Sequence, residues 1–143
     1  MIRLLLLNAF AGTAAGAVLI LLSFILPRLG LTGDRHREAD PGEIGSMPRR
    51  QANVLSTAIH LLIFGLLGMG YGAILVSSGL INYSVVPLLA YAVLATLVFG
   101  GIVFPLEGSG LFGWREDHWI AADLFVMNCA WAFLYWMVVV AIQ

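Results

Sequence analysis

The sequence has few charged residues, a single cysteine and no lysine. Only 10% of its 143 residues are charged, against about a quarter in soluble domains. Cys129 has no second cysteine to pair with, which excludes an intrachain disulfide and a multi-thiolate metal site. The net charge of −1 and the lack of a basic patch argue against nucleic acid as a partner.

Apolar residues are abundant instead, and they lie in long runs. They make up 61% of the chain, and a bilayer core of about 30 Å requires roughly 20 apolar residues per helix. Four runs predict transmembrane helices over residues 4–26, 52–76, 85–104 and 119–142. The first run exceeds the apolar core of a cleavable signal peptide, so we expect a retained helix. The sequence therefore predicts an all-α fold, a bundle of four transmembrane helices in a single membrane domain, 1–143.

Polar residues collect in two loops, which four spans place on the same side of the bilayer. The connector 28–51 and the loop 105–117 contain every arginine except Arg3. By the positive-inside rule, we expect both loops in the cytoplasm and both termini on the outer side of the cell membrane.

The two halves of the chain show a faint similarity. Aligning them matches four pairs of residues, Pro27 with Pro105, Ala17 with Ala95, Leu19 with Leu97 and Gly30 with Gly108. The pattern is typical of two fused helix-loop-helix repeats, which are common in membrane proteins. Chance matches in an apolar background are the alternative.

His60 and Asp123 are the ionisable side chains that fall clearly inside the predicted spans. Such groups are costly in a bilayer and are therefore functional candidates. Both belong to the loop-side half of the membrane, and they would meet if the second and fourth spans are neighbours. A His–Asp pair would serve as a structural clamp or as a proton-accepting site. Tyr71 lies on the same helical face as His60, within about 20°, and would line the same groove.

A structural interpretation competes with this one. A buried histidine often just hydrogen-bonds a neighbouring helix, and Asp123 lies close enough to the interface to stay hydrated. Tyr71 would then contribute packing alone.

Glycines form the other pattern in the spans. Gly12 with Gly16, and Gly68 with Gly72, are GxxxG pairs, which allow helix backbones to approach closely. They favour packing within the chain or, alternatively, between copies. Asn8 lies one turn before Gly12 and would add an interhelical hydrogen bond.

The loop side contributes three further polar residues near the spans: Glu107, Asp117 and His118. Together with His60 and Asp123 they match no known metal-ligand spacing, so we predict no metal. A bis-histidine haem needs two deep imidazoles, and only His60 is deep. We therefore predict no cofactor.

Two segments carry a resemblance to other proteins. The residues His60, Gly65, Gly68 and Tyr71, with the run 105–113 (PLEGSGLFG), resemble segments of a family of small, uncharacterised four-helix membrane proteins of archaea and bacteria. The resemblance implies the four-helix architecture and no particular chemistry. In such relatives a similar His–Gly–Gly–Tyr pattern recurs in the last helix. Here that helix has Asp123 and Tyr135 without the matching histidine and glycines.

Three classes of function follow from these patterns. The first is a non-catalytic membrane protein, either a homo-oligomer or an accessory subunit of a larger membrane complex. The second is a proton-linked or small-solute transporter or channel that uses His60 and Asp123. The third is a membrane enzyme with a loop-side site formed by Glu107, His118 and Asp123. The scarcity of polar side chains inside the spans favours the first.

Overall fold

The protein folds into long helices. The computed structural model describes residues 2–25, 49–79, 83–106, 108–115 and 119–142, with the side chains of residues 49, 50, 52 and 53 excepted. Within these ranges, four helices are long and apolar enough to cross a membrane. The predicted all-α bundle of four spans is confirmed.

The helix ends lie close to those of the predicted spans. Helix α1 comprises Ile2–Ile25 and α2 comprises Arg49–Ser78. The third span consists of α3, Val85–Val98, then a π-helical turn, Phe99–Val103, and a last α-helical turn, Phe104–Leu106. Helix α4 comprises Ile120–Ile142. Helix α1 is described to Ile25, two residues before Pro27, where the sequence predicts the helix to end because proline restricts the residue that precedes it.

The four helices form a bundle in which α1 is the best-packed member. Helix α1 packs most extensively against α2 and also against α4, while α3 packs chiefly against α4. Helices α2 and α3 touch at only a few points. As a result α2 and α4 occupy diagonal positions. The two interfaces that join the halves of the chain also differ in extent, because α1 contacts α4 much more extensively than α2 contacts α3.

Small residues on one helix match large ones on its neighbours in the core. The buried face of α1 consists mostly of small side chains: Asn8, Ala11, Gly12, Ala15, Gly16 and Leu19. The largest fully buried side chains come mainly from the other helices and include Tyr71, Leu88, Trp131 and Tyr135. The outer faces carry exposed apolar side chains such as Phe10, Leu62 and Val126, as expected of helices that face lipid.

A compact turn follows the third span and folds back on it. Phe112 has a left-handed backbone, with φ 52°, and its ring covers the buried Gly100 of the π-helical turn. A side chain at Gly100 would collide with that ring. Left-handed backbone at a phenylalanine is unusual and is tolerated where packing holds it. Gly100 thus leaves room for the Phe112 ring, and this ring packs the turn against the third span.

Candidate functional site

The most polar part of the bundle interior is built around Asn8, which is fully buried in α1. Its Nδ2 donates to the carbonyl oxygen of Leu4 at 2.6 Å and to the hydroxyl of Tyr83 at 3.1 Å. Its Oδ1 accepts a hydrogen bond from the hydroxyl of Tyr135, which is fully buried in α4. The amide uses both N–H donors and its carbonyl oxygen. It therefore ties α1 to α4 and to the start of α3.

Two glycines of α2 make room for Asn8, one for its side chain and one for its backbone. A Cβ atom at Gly72 would lie 2.8 Å from Cγ of Asn8, and one at Gly68 would collide with the backbone carbonyl oxygen of Asn8. A Cβ atom at Gly12 would lie 3.0 Å from Cα of Gly68. The α1 and α2 backbones are thus in direct contact here. Gly16 differs, since the Phe64 ring occupies the space beside it.

Asn8 bonds two of the four tyrosines, and the other two pack with Trp131 against Tyr135 or against one another. We call the whole group the tyrosine cluster: Asn8, Tyr71, Tyr83, Tyr91, Trp131 and Tyr135. Tyr71 meets Tyr135 edge-on with ring centroids 5.8 Å apart, and it meets Tyr91 at 5.4 Å. Trp131 lies 5.2 Å from Tyr135. Such contacts stabilise aromatic pairs beyond the area that they bury. The cluster fills the space between the helices.

Most polar atoms of the cluster have partners. The hydroxyl of Tyr91 donates to the carbonyl oxygen of Leu67 at 2.9 Å, and Nε1 of Trp131 donates to that of Gly12 at 3.2 Å. These bonds join α3 to α2 and α4 to α1. The interior is therefore held by specific interhelical hydrogen bonds, which a hydrocarbon environment favours because water is absent there.

Tyr71 is the exception within the described residues. Its side chain is 2% exposed, and its hydroxyl has no hydrogen-bond partner. We expect Tyr71→Phe to be neutral or to stabilise the protein by up to about 1 kcal/mol, because it removes an unsatisfied buried group at constant shape. Tyr135→Phe, the matched control, should instead destabilise it by about 1 kcal/mol. The free energy of unfolding of each variant in mixed micelles, compared with that of the unmodified protein, would measure the difference. Equal losses would show that the Tyr71 hydroxyl has a partner in the membrane.

The structure does not bring His60 and Asp123 together. Both side chains are exposed, they belong to the diagonally placed α2 and α4, and no hydrogen bond or ion pair joins them. Asp123 lies in the first turn of α4, where the helix dipole favours an acid. His60 bonds its own helix and lines an open groove beside α1. Tyr71, predicted to share that groove, is buried in the tyrosine cluster instead.

The other two residues of the predicted enzyme site, Glu107 and His118, lie outside the described residues, and so does Asp117. The same holds for most of the polar connector 28–51. Among the residues that the structure does describe, no group of three or more histidine, cysteine, aspartate or glutamate side chains is placed to hold a metal ion.

Sequence reasoning missed most of the tyrosine cluster. It singled out Asn8 and Tyr71, but not the role of Tyr91, Trp131 or Tyr135. It also missed Asn128, a buried residue of α4 whose Nδ2 donates to Oγ1 of Thr96 at 2.9 Å. The sequence could have pointed to both Asn8 and Asn128, because an amide side chain is costly inside an apolar span.

The helices and their contacts define a class: a protein with four membrane-spanning helices packed around an asparagine–tyrosine core. Comparisons with models of known families, with curated proteins and with solved structures find no match. The resemblance to small four-helix proteins of archaea and bacteria stays a prediction.

Proposed function

We propose that the protein is a non-catalytic membrane subunit, acting as a homo-oligomer or as an accessory subunit of a larger membrane complex. The observation that supports this is the filling of the bundle interior by the tyrosine cluster, whose side chains donate hydrogen bonds to one another and to backbone carbonyl oxygens of neighbouring helices. A core of that kind stabilises a scaffold, and the scaffold then acts through its outer faces. Its place would be the cell membrane, with the loops 28–51 and 105–117 in the cytoplasm, as the arginine distribution favours.

Mild-detergent extraction from native membranes followed by native mass spectrometry tests this proposal. We expect the chain in an assembly of several copies or with other subunits. His60→Ala and Asp123→Asn should leave the four-helix fold of each copy intact, because among the described residues neither side chain bonds another helix. An isolated monomer, under conditions that preserve other membrane complexes, would contradict the subunit role.

A proton-linked or small-solute transporter is the second candidate. It is favoured by the position of His60 in a groove between α1, α2 and α4. Proton flux into proteoliposomes distinguishes the two roles. A subunit gives no flux above that of empty liposomes, whereas a transporter gives flux that His60→Ala and Asp123→Asn both reduce.

A further inference from the structure

A groove runs between the loop-side parts of α1 and α2, with Met127 of α4 at its edge. Its volume is about 230 Å³. Leu19, Phe64 and Met127 provide apolar walls, while Ser56 and His60 provide polar groups. The groove is therefore amphipathic, although it opens inside a predicted membrane span.

The hydrogen bond of His60 determines which nitrogen of its neutral imidazole carries the proton. Its Nδ1 lies 2.7 Å from the carbonyl oxygen of Ser56 and 3.5 Å from Oγ of the same residue. A carbonyl oxygen only accepts, so the proton of the neutral imidazole belongs on Nδ1. Nε2 is then an acceptor, and no described residue donates to it. A ligand of this groove should therefore carry an O–H or N–H donor.

The depth of His60 limits which donors can reach it. The span Val54–Ser78 has 25 residues and is roughly 36 Å long, which exceeds a hydrocarbon core of about 30 Å by a few ångströms at each end. The α-carbon of His60 lies about 9 Å along this span, and its ring reaches back one turn to Ser56, so the imidazole lies near the hydrocarbon boundary. A small ring that dissolves in the hydrocarbon region reaches it.

We propose that this groove binds a membrane-soluble hydroquinone, with one ring hydroxyl donating to Nε2 of His60. The ring would lie against Leu19 and Phe64, and its apolar substituent would leave through the open side into lipid. The volume is adequate, since an engineered cavity of about 150 Å³ takes up benzene. The oxidised quinone has no donor and binds more weakly. This site goes beyond the proposed subunit role and does not depend on it.

The test is binding of tritiated decylhydroquinone to the protein in nanodiscs, with empty nanodiscs subtracted. We expect saturable binding, and unlabelled decylhydroquinone should compete about fivefold better than its dimethyl ether, which lacks the donors. His60→Phe removes the acceptor and fills the groove, so binding should weaken by more than about tenfold. Asp123→Asn, on the same side of the membrane but outside the groove, should bind like the unmodified protein.

Several results would overturn the proposal. One is the absence of saturable binding to the unmodified protein, and another is equal competition by the dimethyl ether, which needs no variant and so does not depend on folding. Unchanged binding by His60→Phe is a third. A phospholipid retained in native mass spectra and lost in His60→Phe, without hydroquinone binding, would assign the groove to lipid instead.

Discussion

Gly68→Ala is expected to destabilise the bundle by about 2 kcal/mol. The new Cβ atom would collide with the backbone carbonyl oxygen of Asn8 and lie 3.0 Å from Cα of Gly12. Both obstacles on α1 are backbone, so α1 and α2 must separate. Overpacking costs up to about 3 kcal/mol, and the better helix propensity of alanine returns up to about 1 kcal/mol.

Gly101→Ala is the matched control, since a Cβ atom there meets nothing within 4 Å. It should be neutral or slightly stabilising, because only the propensity difference acts. Unfolding in mixed micelles, followed by circular dichroism, measures both variants. Equal effects of the two substitutions would mean that the contact between α1 and α2 is looser in the membrane than in this structure.

Asn8→Leu is expected to destabilise the protein by about 2–3 kcal/mol. Leucine has the same branched shape but is larger, so it leaves no cavity, and the loss comes from the broken hydrogen bonds and from overpacking. The hydroxyl of Tyr135 is fully buried and would be left without its partner, at a cost of about 1–3 kcal/mol. The half-buried Tyr83 loses a donor as well.

A second substitution should rescue this loss. In the double variant Asn8→Leu with Tyr135→Phe, both partners of the hydrogen bond become apolar, and such a replacement is nearly neutral. We therefore expect the double variant to be more stable than Asn8→Leu alone. Ser77→Ala serves as the control, since its hydroxyl is exposed and bonds its own helix, and it should change stability by less than about 0.5 kcal/mol. A double variant that is less stable than Asn8→Leu would contradict the account of the amide.

The contrast between these residues and His60 explains why polar side chains in a span differ in their effects. Asn8 and Tyr135 bond across helices and hold the bundle together. His60 bonds only the preceding turn of its own helix. Substituting it should therefore change what binds in the groove more than the stability of the fold.

The sequence alone predicted the four spans and their approximate ends. The reason is local, since a hydrocarbon core requires a continuous apolar run of fixed length, and proline or polar residues end it. The close contact of two glycine-bearing helices was equally within reach, because Gly12 and Gly68 lack side chains wherever they are placed.

Only the tertiary structure decided which helices are neighbours. In a soluble bundle the apolar face of each helix indicates its core side, but a membrane span is apolar all round, so the pattern carries little information about facing. The diagonal placement of α2 and α4 separates His60 from Asp123, and the packing of α1 against α4 brings Tyr83 and Tyr135 to Asn8. These outcomes depend on side-chain shape and on hydrogen bonds between distant residues, which the sequence of one helix does not contain.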